Sequence, residues 1–200
     1  MSTCKEQRPS IQELECAVFV ERLASADPTP GGGAALGVIA SQGVALIEMA
    51  LRISNKKQLP EIASQLQQLK TWRDRCLVLA QADQEGFLKV MEAWRLPRQT
   101  EQDKEMRSKR LCVCSEEAAR VPLALMKLCV EVLGAAQVWS SLIKEHVLSD
   151  LLIGQELLRT AGSASFHNVV INTKSHPSLQ PLQHQAERLL AKLQRTQDDA

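Results

Sequence analysis

The sequence predicts an all-α protein, a bundle of unusually long helices, and three observations carry that expectation. Ala, Leu, Gln, Glu and Lys are plentiful, while only 3% of the 200 residues are aromatic and tyrosine is absent; this balance favours helix over sheet. Apolar residues recur three and four positions apart over long stretches, the period of one helix face. The breakers gather at a few points, chiefly ADPTPGGG at 26–33, Ser54-Asn55, Leu96-Pro97 and the Pro/Ser/His stretch after Asn172.

Taken in order, the first helix is expected over 10–25, with Ser10 as N-cap and Glu13 at capping-box spacing. After the glycine loop, AALGVIASQGVALIEMAL makes a helix from about Gly33 to Ile53, whose Ala and Gly positions let another backbone approach closely. Residues 60–95 form one periodic segment with an apolar stripe of Ile62, Leu66, Leu69, Cys76, Ala80, Phe87, Met91 and Trp94, closed by Pro97. At a rise of 1.5 Å per residue this rod is about 50 Å long. Another long helix starts at Thr100, with Gln102 and Asp103 in its first turn and Pro122 as a bend. A further helix runs from Ser149 to Asn172, and an amphipathic helix over 178–195 sets Leu182, Ala186, Leu189 and Leu190 near one face. The whole, 1–200, reads as a single domain with its core over about 11–175. Rods longer than the usual 8–20 residues imply that a second copy completes the apolar faces, so a homodimer is expected.

Charge and cysteine usage exclude several classes. A formal net charge of +1 gives no basic field to collect phosphates, so no nucleic-acid partner is expected. No membrane span is expected either, because Glu48 and Arg52 interrupt the most apolar run. The six cysteines fall mostly in helical patterns with no secretory signal ahead of them, which predicts reduced thiols and a cytoplasmic protein. Cys112-Val113-Cys114 is too closely spaced for a zinc knuckle, and His146, His167, His176 and His184 have no metal spacing. No metal is expected.

Polar residues in apolar places supply the candidate site. Asp83 lies on the 60–95 stripe with Cys76, Ala80, Phe87 and Trp94. It is an acid at the edge of the core, a cap for a neighbouring loop, or a working carboxylate in an interhelical cavity. In 149–172, Asp150, Gly154, Leu157, Ala161, Asn168 and Asn172 fall within about 40° of one helical line. A stripe that is polar, small and polar again lines a cavity, unless Ser149 and Asp150 merely cap the helix start. The glycine loop matches neither phosphate fingerprint. Its N–H groups at a helix start can hold a polar ligand group, or the loop is simply a tight corner. Lys56, Lys57, Lys104, Arg107 and Arg110 are a solvated face or the contacts of an anionic tail.

Three fragments tie these features together: PTPGGG (28–33), DQEGFLKVMEAWRLPRQTEQDKEMR (83–107) and SDLLIGQELLRTAGSASFHNVVIN (149–172). In order and spacing they resemble the cyclodeaminase domain of formiminotransferase-cyclodeaminase, which also occurs alone as a cyclodeaminase/cyclohydrolase-like protein. The resemblance implies an all-helical homodimer that converts 5-formiminotetrahydrofolate to 5,10-methenyltetrahydrofolate and ammonia, or acts as the related methenyltetrahydrofolate cyclohydrolase. A tetrahydrofolate, mono- or polyglutamylated, is then the substrate, with no metal or redox cofactor. Residue by residue, it implies Asp83 and Asp150 as catalytic carboxylates, with Asp83 transferring protons and Asp150 positioning the pterin or the cationic carbon. It also implies contacts to substrate from Pro30, Gly31, Gly32, Gly33, Asn168 and Asn172, and to the glutamate tail from Lys56, Lys104 and Arg107. The chain departs from the family pattern at Ala34, where a Ser is usual, at Asn55 for Gly, at Ile143-Lys144 for Gly-Asn, and at Gln81 and Gln84, where acids are frequent. Those departures keep open a second expectation, a catalytically silent helical dimer that binds folate or a protein.

Overall fold

The computed structural model describes residues 10–55 and 59–195, the side chain of Glu61 excepted. It is all-α: α1 (Cys16–Leu23), α2 (Gly32–Ser54), α3 (Pro60–Trp94), α4 (Glu101–Trp139), α5 (Leu148–Thr173) and α6 (Gln180–Arg195), with short 3-10 turns between some of them. The long helices begin where the sequence places them. Pro60 occupies the first turn of α3, where its missing N–H costs nothing. Thr100 caps α4 by accepting from the Asp103 N–H, and the Asp103 carboxylate accepts from Thr100 in return. Pro122 lies buried inside α4, a helix of 39 residues in all that runs through it without a break.

The expected first helix is broken. Ser10 and Glu13 do form their capping box, but around a single 3-10 turn, Ile11–Glu13, and Leu14 is extended. The Ile11 N–H donates to the Gln81 side chain at 3.2 Å, tying this turn to α3. The break lets Ile11 and Phe19 bury in one cluster with Ala34 and Ala80.

Helices α2, α3, α4 and α5 pack in a ring, α2 on α3 and α5, α4 on the same two, with α6 laid across α4 and α5. Missing side chains set the spacing around α2. A Cβ on Gly37 would stand 2.7 Å from the Ala80 Cβ and 2.9 Å from the Cys76 carbonyl oxygen. A Cβ on Gly43 would stand 2.7 Å from the Gly154 carbonyl oxygen, and one on Gly154 equally close to that of Gly43. The small-residue helix is therefore in backbone contact with both neighbours. Its single buried acid, Glu48, is paired on both oxygens, with Arg52 at 2.5 Å and Arg73 of α3 at 2.6 Å.

The sequence-based exclusion of membrane-length segments does not hold. By length and composition α2 (mean hydropathy 1.7) and Glu101–Leu142 (1.6) are both long and apolar enough to cross a bilayer. Glu48 and Arg52 do not offset the apolar residues around them. In the fold that apolarity faces the bundle, where 56% of the α2 window is buried.

Two glycine substitutions of opposite sign test this packing. Gly43→Ala pushes a methyl group against unyielding backbone and should destabilise the protein by about 1–3 kcal/mol in urea unfolding. Gly134, within α4 and with nothing near its Cβ position, should stabilise by about 0.5–1 kcal/mol when changed to Ala.

Candidate active site

The site forms where the start of α2 meets the second half of α3. At the N-terminus of α2 the first N–H groups have no partner within the helix. One of them, from Ala34, donates to the Asp83 carboxylate. A Cβ on Gly33 would overlap the Asp83 carboxyl group, so this glycine makes room for the acid. The glycine run is not explained by backbone conformation, since no described glycine has positive φ. Gly31 and Gly32 have open space at their Cβ positions and face a cavity.

That cavity has a volume of about 610 Å³, within the range of small-molecule sites. Gly31–Gly33 and Thr29 form one end, with Asp83 beside them. Phe87, Val90, Met91 and Trp94 continue the wall along α3, with Leu111, Ser115 and Ala118 contributed by α4. Asn168, Ile171 and Asn172 come from α5, and Lys174, Ser175 and His176 from the segment after it. Burial pushes the Asp83 carboxyl up to about 6, against the opposing pull of the Ala34 N–H. An acid so placed changes charge near neutrality, the property a proton-transfer group needs.

The predicted residues divide between the two ends of the bundle. Gly31, Gly32, Gly33, Asp83, Asn168 and Asn172 meet at the cavity. The Asn172 amide donates back to the Asn168 carbonyl at 2.9 Å. Pro30 is buried in the loop behind this wall, after a cis Thr29–Pro30 bond. Arg107 is not among the lining residues; its guanidinium lies 4.7 Å over the ring of Trp94, which is. Lys104 is exposed and paired with Glu101 at 2.6 Å. Lys56 lies outside the described residues.

Asp150 corrects the idea of one continuous polar stripe. It sits in the first turn of α5, eighteen residues before Asn168 and so about 27 Å away along the helix. Between them Gly154 is pressed on Gly43, which closes the stripe. Within one chain Asp150 is not part of the Asp83 cavity. Conversely, Lys174 and His176 line the wall although His176 was assigned no role from sequence. The available signal was only their position in the chain, just beyond Asn172. Among the described residues no cluster of His, Cys, Asp and Glu could hold a metal ion.

Fold and site together define an all-helical bundle with a ligand-sized chamber beside one half-buried acid. From 15 to 191 the chain matches the formiminotransferase-cyclodeaminase family, and it belongs to that family. It is 30% identical over 161 residues to a methenyltetrahydrofolate cyclohydrolase of Methylorubrum extorquens, covering 78% of this chain and 77% of that one. It is 29% identical over 167 residues to the formimidoyltransferase-cyclodeaminase of Gallus gallus, covering 78% of this chain and 30% of that longer protein. The fold is similar to that of a formiminotetrahydrofolate cyclodeaminase from Thermotoga maritima, with a TM-score of 0.73, 24% identity, and coverage of 93% and 96% of the two chains.

The raised Asp83 carboxyl fixes the sign of a stability effect. Burial penalises its charged form, so the native state binds the proton more tightly than the unfolded chain. Stability falls as pH rises from 3.8 through about 6. Asp83→Asn keeps an oxygen for the Ala34 N–H and removes the buried charge. It should raise stability by roughly 2–3 kcal/mol at pH 8, with the gain vanishing toward pH 4, as read by urea unfolding across pH.

Proposed function

We propose that this chain is a folate one-carbon enzyme acting on the carbon carried between N5 and N10 of tetrahydrofolate. The observation that carries the reading is Asp83, a carboxyl that titrates at about 6 in a mainly apolar chamber, held by the Ala34 N–H. Both family reactions pass through an amidine-type carbon with positive charge. In the deaminating direction N10 attacks the formimino carbon, Asp83 takes the N10 proton and returns it to the departing nitrogen, and ammonia leaves. In the hydrolytic direction water adds to the methenyl carbon and Asp83 takes one of its protons; the N5–C bond then breaks as the remaining hydroxyl proton passes to N5, leaving a formyl group on N10. The chamber holds the reacting atoms together, and ionised Asp83 stabilises the cationic carbon. Asn168 and the loop N–H groups orient the pterin. The chemistry calls for no metal or redox cofactor, and we place the enzyme in the cytoplasm.

We further propose a homodimer formed through α2 and α5. From Gly32 to Leu51 α2 carries one charged residue, Glu48, and that one is buried. Exposed Met49, Leu148, Leu152, Ile153 and Ile171 lie on α2 and α5. An antiparallel pairing of α5 with its copy about an axis through its middle would set the partner subunit's Asp150 near Asn168, completing the chamber. This is the arrangement that keeps Asp150 as a positioning carboxylate.

Turnover of 5-formiminotetrahydrofolate and of 5,10-methenyltetrahydrofolate, followed by absorbance, tests the reading and separates the two reactions. The expected result is activity whose kcat/KM rises with pH through about 6 and falls at least 100-fold in Asp83→Asn. Folate binding with no turnover of either substrate would favour the silent dimer instead. Sedimentation should give a dimer, and Met49→Glu with Ile153→Glu should yield folded monomers. Mixing Asp83→Asn and Asp150→Asn proteins should restore about a quarter of the wild-type rate if each site draws on both subunits.

A further inference from the structure

Pro122 is a costly residue with no local purpose. It ends no helix, since α4 runs through it, and a proline inside a helix forfeits one backbone bond and crowds the carbonyl four residues back. That carbonyl belongs to Ala118, which lines the chamber. Breaches of a local rule such as this one gather at functional sites. The register of α3 and α4 shows what lies opposite. Lys89 pairs with Glu117 at 3.2 Å, and a Cβ on Gly86 would stand 3.5 Å from the Ala118 Cα. The two helices run antiparallel, so the turn back along α3 from Gly86 to Asp83 matches the turn onward along α4 from Ala118 to Pro122. Gly33, Asp83, Val121 and Pro122 do line one gap, which has no room for a water molecule. Helix carbonyls point toward the helix C-terminus, so the Ala118 oxygen is directed from the chamber wall toward the level of Asp83.

In the deaminating direction described above, the group that departs beside Asp83 is an amine. Starting from the protonated formimino group, N10 bonds to the carbon and the C=N electron pair moves onto the nitrogen, giving –NH2. Asp83 passes the N10 proton to that nitrogen, giving –NH3+. The C–N bond then breaks with its pair to release ammonia and the methenyl cation. At the –NH3+ stage the nitrogen carries three N–H donors and no acceptor, and the Asp83 carboxylate meets the one it has just supplied. We propose that the Ala118 carbonyl, freed by Pro122, accepts a second N–H of the departing nitrogen, so that carbonyl and carboxylate hold it between α4 and α3. A carbonyl accepts and cannot donate, which favours the nitrogen with all its protons in place. Its bond to a cationic donor is about twice as strong as one to a neutral donor. Ala118 touches the reacting group through its main chain, and Pro122, which acts through Ala118, is a positioning residue.

This role rests on the folate reading, and its test separates the two. Turnover of 5-formiminotetrahydrofolate is measured for Pro122→Ala, which returns an N–H to the Ala118 carbonyl. It is measured also for the full chain carrying lactic acid, the α-hydroxy acid counterpart of alanine, at position 122. That protein has the side chain of alanine but an ester oxygen in place of the N–H, so the carbonyl stays free. Pro122→Ala should unfold in urea no earlier than wild type, because the helix gains a bond, yet lose about tenfold in kcat with KM nearly unchanged. The loss stays below that of Asp83→Asn because the carbonyl keeps a second lone pair. The hydroxy-acid protein should stay close to the wild-type rate. Hydrolysis of 5,10-methenyltetrahydrofolate, in which no ammonium forms, should fall less in Pro122→Ala than deamination does. Unchanged kcat in Pro122→Ala, equal losses in both variants, an equal loss of hydrolysis, or a Pro122→Ala protein that fails to fold would overturn the role of the carbonyl and leave the folate reading intact. So would a wild type that turns over the methenyl substrate alone. A wild type that turns over neither substrate would overturn the folate reading and this role with it.

Discussion

Helix α2 carries a glycine at each place where a neighbour comes nearest: Gly33 at the Asp83 carboxylate, Gly37 at Ala80 and Gly43 at Gly154. The first contact is the start of the site, and the other two hold the helices that build its walls at backbone distance. Were α2 pushed outward by a methyl group at Gly37 or Gly43, α3 and α5 would separate. Asp83 and Asn168, which come from those two helices, would then no longer face one chamber. Packing and chemistry depend here on the same absent side chains.

The acid is held against the stability of the fold. An ionised carboxylate among Leu79, Ala80 and the loop backbone is an unfavourable burial, and a single N–H from Ala34 offsets only part of it. Glu48 on the same helix shows the other solution. It is buried more deeply than Asp83 but satisfied by Arg52 and Arg73, a pairing that suits a structural acid. Among the described residues no cation is paired with Asp83, so its proton remains exchangeable near neutral pH. The difference between the two acids is one of partners.

Much of this was legible in the sequence because its signals are local. Pro60, the Thr100–Asp103 cap and the long apolar stripes set helix ends within a residue or two, and the glycines of α2 announced close approach. Other features are set by tertiary contacts that no local pattern reports. The break after Glu13 depends on Gln81 capturing the Ile11 N–H. Asp150 shares a helical line with Asn168, but angle says nothing of distance along a rod. The membrane-length apolarity of α2 becomes intelligible only when it is seen covered on two sides. Lys174 and His176 have no periodic signature at all, since they reach the chamber from beyond the end of α5.

The departures from the family pattern can now be weighed by where they fall. Ala34 contributes its backbone N–H to Asp83, a group that Ser would supply equally, so the substitution removes a hydroxyl and leaves the contact. Lys144 lies at the opposite end of the bundle, where its own N–H donates to Ser54 at 2.9 Å and its side chain is exposed. Gln81 and Gln84 bond to one another, and Gln81 receives the Ile11 N–H. There they replace charge with neutral hydrogen bonding beside Asp83. A second carboxylate at either position would have raised the Asp83 proton affinity further. With amides there, burial dominates the shift, and the acid remains poised near 6 by packing. The substitutions thus alter the surroundings of the Gly33–Asp83 contact while the contact itself persists.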